Sequence, residues 1–379
     1  MLQYYKALEE MVVTITQTQN FSASRLDKAR FAFTTRRVDQ SAIAGLISGN
    51  AKPRSGDLVL ARVVKLGHHT GLQLCNGRRA KLFPGDTIVV ACGNRYAPSQ
   101  YEAVVPTRLG AAHLVAGGGI AARALNRNRK TRAPTRIHIE GILSDASGRA
   151  INLADWALPE PTLAAQGNPV IYAVAGTTMD AGKTTSAAHL IKGLASAGLR
   201  VGAAKVTGTG AGGDLWLMLD AGAEHVVDFT DAGYASTYKT STDELVQIFN
   251  KLTGHLACLG MDAIVVEVAD GLLQQETSSL LQTSAFRESV HAMLFAAGDA
   301  MGAVHGVNWL RKQGLPVFAT CGLITLAPLA AREARQSINL PSVSLKKLAD
   351  PSWAAALHEQ YSLSIARPVL GIASLGNTR

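Results

Sequence analysis

Two textures of apolar and polar positions divide the chain. From residue 57 to 105 the apolar residues come in short runs, LVLARVVKL, GLQLC, RAKLF and TIVVAC, parted by Gly, Asn-Gly and Pro-Gly-Asp. Runs of that length, rich in β-branched residues and bounded by turn chemistry, predict strands. Asn76-Gly77 adds a hairpin signal. YEAVVP and AAHLVAG predict a further strand pair, and RIHIEGILSD with AINLADWAL closes the region. Many short strands at this spacing predict a small barrel or sandwich. Ahead of them, Leu2, Tyr5, Leu8 and Met11 recur at helical spacing, which predicts a helix there.

From residue 170 the texture changes. VIYAVAG, RVGAAKVTG, DAIVVEVADG, AMLFAAG and PVFATCGLI are buried-strand patterns, and TTSAAHLIKGLASAG and AVHGVNWLRKQG are helical ones. Strands alternating with helices predict a parallel sheet covered on both faces. PEPTLAAQGNP, residues 159–169, reads as a linker. The expected organisation is a β-rich domain over 1–158 (small barrel or sandwich), the linker 159–169, and a doubly wound α/β domain with a mainly parallel sheet over 170–379.

The chemistry concentrates in GTTMDAGKTT: Gly176, Thr177, Thr178, Met179, Asp180, Ala181, Gly182, Lys183, Thr184 and Thr185. It follows a predicted strand and opens a predicted helix. That context is what a phosphate-binding loop needs: a turn exposing backbone N–H groups, a helix N-terminus with partial positive charge, a lysine for the outer phosphates and a hydroxyl for Mg²⁺. Five residues separate Gly176 from Gly182, one more than in the usual G-x-x-x-x-G-K-[ST] spacing, and we read the extra residue as a variation. The domain over 170–379 is therefore expected to be a P-loop domain.

The longer loop resembles that of dethiobiotin synthetases, which read like G-T-D-T-E-V-G-K-T. The likeness continues in AAKVTGTG, VEVADGLL and GDAMGAVHGVNWL, in the order those enzymes keep, over roughly residues 170–350. The resemblance implies an ATP- and Mg²⁺-dependent enzyme that activates a small carboxylate- or amine-bearing metabolite by phosphoryl transfer, as a kinase, ligase or cyclising synthetase. It implies that Lys183 binds the β/γ-phosphates, Thr184 and Glu267 serve the metal, Asp214 supplies a third acid, and Lys205 holds the transferred phosphate or an anionic substrate. It also implies pairing of P-loop domains, hence a homodimer. The chain departs from that family in lacking an asparagine after its late strand, VFATCGLIT, which leaves the base of the nucleotide open, and in the added N-terminal region. The loop is also similar to that of the D-amino-acid N-acetyltransferase group, which keeps an acyl-CoA-dependent N-acyltransferase as an alternative. A third reading is an NTPase switch whose basic domain docks nucleic acid or a protein.

Charge bears on that third reading. The net charge is +9, and residues 1–160 alone carry +11 against −2 for the rest. Residues 117–136 hold Arg123, Arg127, Arg129, Lys130, Arg132 and Arg136 but no aromatic side chain. Single-strand binders need stacking platforms, so a solvated basic loop is the favoured reading and nucleic acid is not. GNRYAPSQYEA, residues 93–103, reads as an ordinary β-domain loop with Asn94, Arg95, Tyr96, Gln100 and Tyr101 on its surface. In the α/β half, Asp228, Asp231, Tyr234, Ser236, Thr237 and Tyr238 fall in one polar connection, a candidate small-molecule lining. No apolar run reaches the length of a membrane span. The four scattered cysteines and the lack of a secretory signal at the N-terminus point to a cytoplasmic location, with no membrane partner.

Overall fold

The computed structural model describes residues 17–20, 26–162 and 168–366. The helix expected over Leu2–Met11 lies outside the described residues. The chain forms two compact units. The first comprises Met1–Glu160 together with Lys205–Trp216 and Val227–Leu252; the second comprises Pro161–Ala204, Leu217–Val226 and Thr253–Arg379.

Twelve strands build the first unit: β1 (Gln17–Asn20), β2 (Arg30–Phe31), β3 (Gly45–Ser48), β4 (Leu58–Lys65), β5 (Gly71–Gln73), β6 (Arg79–Lys81), β7 (Thr87–Cys92), β8 (Arg95–Tyr96), β9 (Tyr101–Val104), β10 (Gly110–Ala116), β11 (Ile120–Arg127) and β12 (Thr135–Ser144). β4 pairs with β12 and β7, β7 runs parallel to β11, β11 pairs with β10, and β10 pairs back onto β12. These pairings close a five-stranded ring, the barrel of the two forms, barrel or sandwich, that the short apolar runs lead one to expect. YEAVVP and AAHLVAG are strands as expected, but each pairs with β11 and not with the other.

The barrel strands are apolar on both faces, which is why their sequences read as continuous runs. Val59, Ala61, Val63, Ile88, Val90, Leu114, Ala121, Ile137 and Ile139 come from all five strands of the ring and fill its inside. Leu58, Leu60, Val89, Ala91, Ile120 and Ala122 point the other way, against Val38, Ile151, Leu153 and Ala235. Ala235 belongs to the Val227–Leu252 segment, so that segment supplies part of the cover over the barrel's outer face.

The second unit is the α/β half. Its sheet adds β13 (Val170–Gly176), β14 (Val201–Lys205), β15 (His225–Asp228), β16 (Ala263–Glu267), β17 (Ala292–Ala296) and β18 (Val317–Cys321), in the order β15-β14-β16-β13-β17-β18. β13 runs parallel to both β16 and β17, and β17 to β18. Tyr172, Val174, Val265 and Leu294 pack on one face under the helices Lys183–Ser196 and Pro351–Ala366. Phe295 meets the helix Ala300–Lys312 on the other, where a Cβ at Gly306 would lie 2.1 Å from its ring. Helices thus cover both faces, and the architecture is a doubly wound P-loop-type α/β fold accompanied by a β-rich unit. β13 is central, and the strand order reverses beside it, the place where open α/β sheets hold ligands.

Candidate nucleotide site

Parallel register lines up the carboxyl ends of four neighbouring strands. Val174 is opposite both Glu267 and Leu294, Gly176 is opposite Ala296, and Ala296 is opposite Cys321. The GTTMDAGKTT segment leaves β13 at this edge and enters the Lys183–Ser196 helix. Thr177 N donates to Ala296 O at 2.9 Å, and Leu323 N donates to Ala181 O at 3.2 Å, so the loop is fixed at both ends.

Two glycines make this close packing feasible. Gly182 takes φ +95°, and Gly322, after β18, takes φ +82° with its Cβ position 2.2 Å from Ala181 O. Only glycine combines that backbone conformation with that approach. Asp180 and Asp270 also sit in the left-handed region, at φ 66° and 61°, two of four such non-glycine residues among the described ones. Local strain of this kind gathers at functional loops.

The helix that follows starts without a side-chain cap, as does the helix Pro328–Ile338. Gly182 offers it no side-chain cap, and its first turn has no acid. The helices beginning at Gln275, Ser284 and Ala300 are capped by Gln274, Thr283 and Asp299. The first N–H groups of a helix have no acceptor within it, and together with the helix dipole they favour an anion. Lys183 is buried (6% exposed) and folds back to donate from Nζ to Thr178 O at 2.7 Å. Thr184 Oγ1 donates to Oε1 of Glu267 at 2.9 Å, and Glu267 is 1% exposed. Burial pushes the neighbouring Cys321 thiol up to about 12 despite the positive charge of Lys183, so it stays protonated.

The structure therefore brings Lys183, Thr184 and Glu267 together with the loop Gly176–Thr185. Lys205, the last residue of β14, forms an ion pair with Asp214 at the start of the next helix. Asp228 and Asp231, from the polar connection, are held by Arg36. Thr237 Oγ1 accepts from Gly208 N at 2.8 Å, which ties that connection to the glycine-rich stretch after Lys205. The Gly322 turn under Ala181 escaped the sequence reading, which placed Gly322 inside the strand pattern PVFATCGLI; the strand in fact ends at Cys321.

The residues fit a magnesium ion that arrives with phosphates. Mg²⁺ binds through one or two carboxylates plus phosphate oxygens and waters, and Thr184 and Glu267 offer one hydroxyl and one carboxylate side by side. Among the described residues no group of three His, Cys, Asp or Glu side chains could hold a metal by itself. No helix among the described residues is long and apolar enough to cross a membrane.

No protein-family profile matches the chain, and no curated protein does. Solved structures with partial likeness include the signal recognition particle 54 kDa protein from Aeropyrum pernix K1 in complex with GDP, at 16% identity and TM-score 0.36, over 52% of this chain and 49% of that one. A LAO/AO transport system kinase shares 16% identity at TM-score 0.37, over 54% of this chain and 63% of that one. The cell division protein FtsY of Thermotoga maritima shares 17% at TM-score 0.34, over 53% and 70%. The chain thus spans about half to two thirds of the first two proteins' length. At these scores the likeness does not indicate what this chain binds.

Proposed function

We propose that the chain is a magnesium- and nucleotide-dependent P-loop enzyme, ATP being the nucleotide, that transfers a phosphoryl group to a small carboxylate- or amine-bearing acceptor. The observation that carries the nucleotide part is the contact of Thr184 with Glu267 beside Lys183, at the mouth of a helix with no cap of its own. These groups come from segments more than 80 residues apart, so a chance Gly-Lys-Thr would not account for their meeting. The dethiobiotin synthetase-like order of segments supports the acceptor class.

In this reading the backbone N–H groups from Gly182 onward take the phosphate oxygens, and Lys183 exchanges its bond to Thr178 O for one to a phosphate. Thr184 and Glu267 position the metal, which when bound neutralises charge on the phosphates. The protein's share of such a reaction is mainly positioning and charge stabilisation.

Titration calorimetry with ATP, GTP and coenzyme A, with and without Mg²⁺, tests the proposal on the intact chain and on Lys183→Ala. The expected result is Mg²⁺-dependent ATP binding that the substitution removes. Tighter GTP binding would correct the base. Coenzyme A binding without nucleotide binding, or no binding at all, would overturn the reading.

A further inference from the structure

The first unit contains a second cleft, of about 430 Å³, lined by Tyr96, Tyr238, Glu102, Asn126, Arg127 and Asn128 among others. The volume lies within the roughly 300–1,000 Å³ of small-molecule sites. No role in the proposed reaction falls to it. Its walls come from three distant stretches: the 93–103 loop, the basic segment and the Val227–Leu252 segment.

The basic segment, read alone, lacks an aromatic platform. The fold supplies one. β11 pairs with β9, placing Arg127 opposite Tyr101 and Asn126 opposite Glu102, and β9 pairs with β8, placing Glu102 opposite Tyr96. The rings of Tyr96 and Tyr238 stand 5.6 Å apart at 47°, both half-buried, with Lys239 Nζ 5.5 Å above the Tyr238 ring. Beyond Arg127 the chain is not a free solvated loop. Asn128 N donates to Gln100 O at 2.8 Å, Asn128 Nδ2 to Pro98 O at 3.1 Å, and Thr131 Oγ1 to Ser99 O at 2.9 Å. Arg123, Arg127, Arg129, Lys130 and Arg132 are all exposed along this fixed path.

A cation in the wall of the cleft, further exposed cations on the chain just beyond it and a pair of half-buried tyrosines supply what single-stranded nucleic acid requires: charge for the backbone, π-faces for the bases. We propose that this cleft binds single-stranded nucleic acid, one base stacking on the Tyr96–Tyr238 pair while the backbone passes Arg127. The carboxylate in the cleft sets a preference. Glu102 accepts from Asn126 Nδ2 at 2.6 Å and from Tyr238 OH at 3.3 Å. A carboxylate has about four acceptor positions, so it retains capacity for the exocyclic amino group of cytosine or adenine. Uracil and thymine would turn a carbonyl toward it. The inference does not depend on the nucleotide site.

The test is fluorescence anisotropy of the full chain with labelled short oligo-C, oligo-A and oligo-U, as RNA and as DNA, with a matched duplex and the mononucleotides CMP and AMP as competitors. Expected are binding of single strands over duplex, oligo-C or oligo-A tighter than oligo-U, and loss of about tenfold for Tyr96→Ala and again for Tyr238→Ala. Tyr96→Phe keeps the ring and retains binding, which separates stacking from a general disturbance of the fold. Arg127→Ala weakens all sequences alike and lowers the salt slope by about one. Retained oligonucleotide binding in Lys183→Ala separates this cleft from the phosphate loop. RNA and DNA arms decide which strand is preferred. Absence of binding at low salt, binding indifferent to the alanine variants, a preference for duplex, or mononucleotides that compete as well as oligonucleotides would each overturn the proposal.

Discussion

Two of the places where polar side chains gather inside the fold differ in their chemistry. In the first unit, Arg36 reaches Asp231 at 2.5 Å and Asp228 at 3.2 Å and bonds Thr230 as well, all inside the fold. In the second, Lys183, Thr184 and Glu267 meet at the end of a strand and the start of a helix. The first cluster is closed on itself: its cation has carboxylates on hand, and its partners join Val227–Leu252 to the N-terminal segment. The second has a lysine resting on a backbone carbonyl beside a helix mouth without a cap. A cluster that satisfies its own charge holds a fold together; the second cluster, on the proposed reading, exchanges its internal bonds for those of a ligand.

The sharpest way to break this comparison is to remove each cation. Arg36→Ala takes the near cation from buried Asp228 and leaves Asp231 only the more distant Arg37, and losing one side of a buried pair costs about 3–5 kcal/mol. Chemical denaturation of the full chain should show a loss of that size. The cluster also sets a pH dependence. Burial, and then the charge of Asp228, push Asp231 up to about 6, against the pull of Arg36. A carboxyl raised in this way binds its proton more tightly folded than unfolded. Its contribution to stability is therefore complete below pH 4 or so and is lost as the pH climbs through about 6. Replacing Asp231 with Asn should flatten that part of the stability profile; an unchanged slope would mean that Asp231 titrates normally.

Lys183→Ala should behave in the opposite way. Its loss should leave the denaturation midpoint close to that of the parent chain and instead weaken nucleotide binding, by about 2–5 kcal/mol for a buried charged contact. A large drop in stability with nucleotide affinity unchanged would place Lys183 with the structural cations.

Legibility in the sequence follows the same division. The strand, turn and helix of the candidate phosphate loop are readable because they are consecutive, within one short stretch, with lysine and threonine at a fixed offset. Glu267 was readable because it ends an apolar run. The barrel was legible as a set of strands, since turn residues punctuate it, but its closure through β10 was not, because pairing partners leave no local mark. Least legible was the polar connection from Asp228 to Tyr238. Its residues looked like one pocket, yet the fold gives Asp228 and Asp231 to Arg36 and Tyr238 to a cleft with Tyr96. Charge and aromaticity were both visible in the first unit. What joins them is the register of β11 on β9, which composition does not encode.

Glu267→Gln gives a smaller and more selective effect. The amide keeps an oxygen for Thr184 Oγ1 and removes only the charge, so the loop should stay in place. Loss of a metal-positioning group typically costs about 10–100-fold in metal affinity. The Mg²⁺ concentration needed for half-maximal nucleotide binding should rise by that factor, with binding in the absence of Mg²⁺ unchanged. Equal losses with and without Mg²⁺ would assign Glu267 to the loop's structure and not to a metal.

The smallest effect belongs to an ion pair that, unlike the Arg36 cluster, joins a single carboxylate and is largely exposed. Arg62 Nε and its terminal nitrogen both bond Glu140 Oε1, at 3.0 and 2.6 Å, across β4 and β12 of the same unit. The geometry is good, but the arginine side chain is 56% exposed. Water already solvates both charges in the unfolded chain and continues to solvate Arg62 in the folded one, so the pair gains little. Arg62→Ala should cost no more than about 1 kcal/mol, and less at high salt. Arg36→Ala should keep most of its cost at the same salt, because its carboxylates are out of reach of the screening ions. If the two substitutions cost the same, burial is not what separates them, and the assignment of Arg36 to the unit's internal scaffold fails with it.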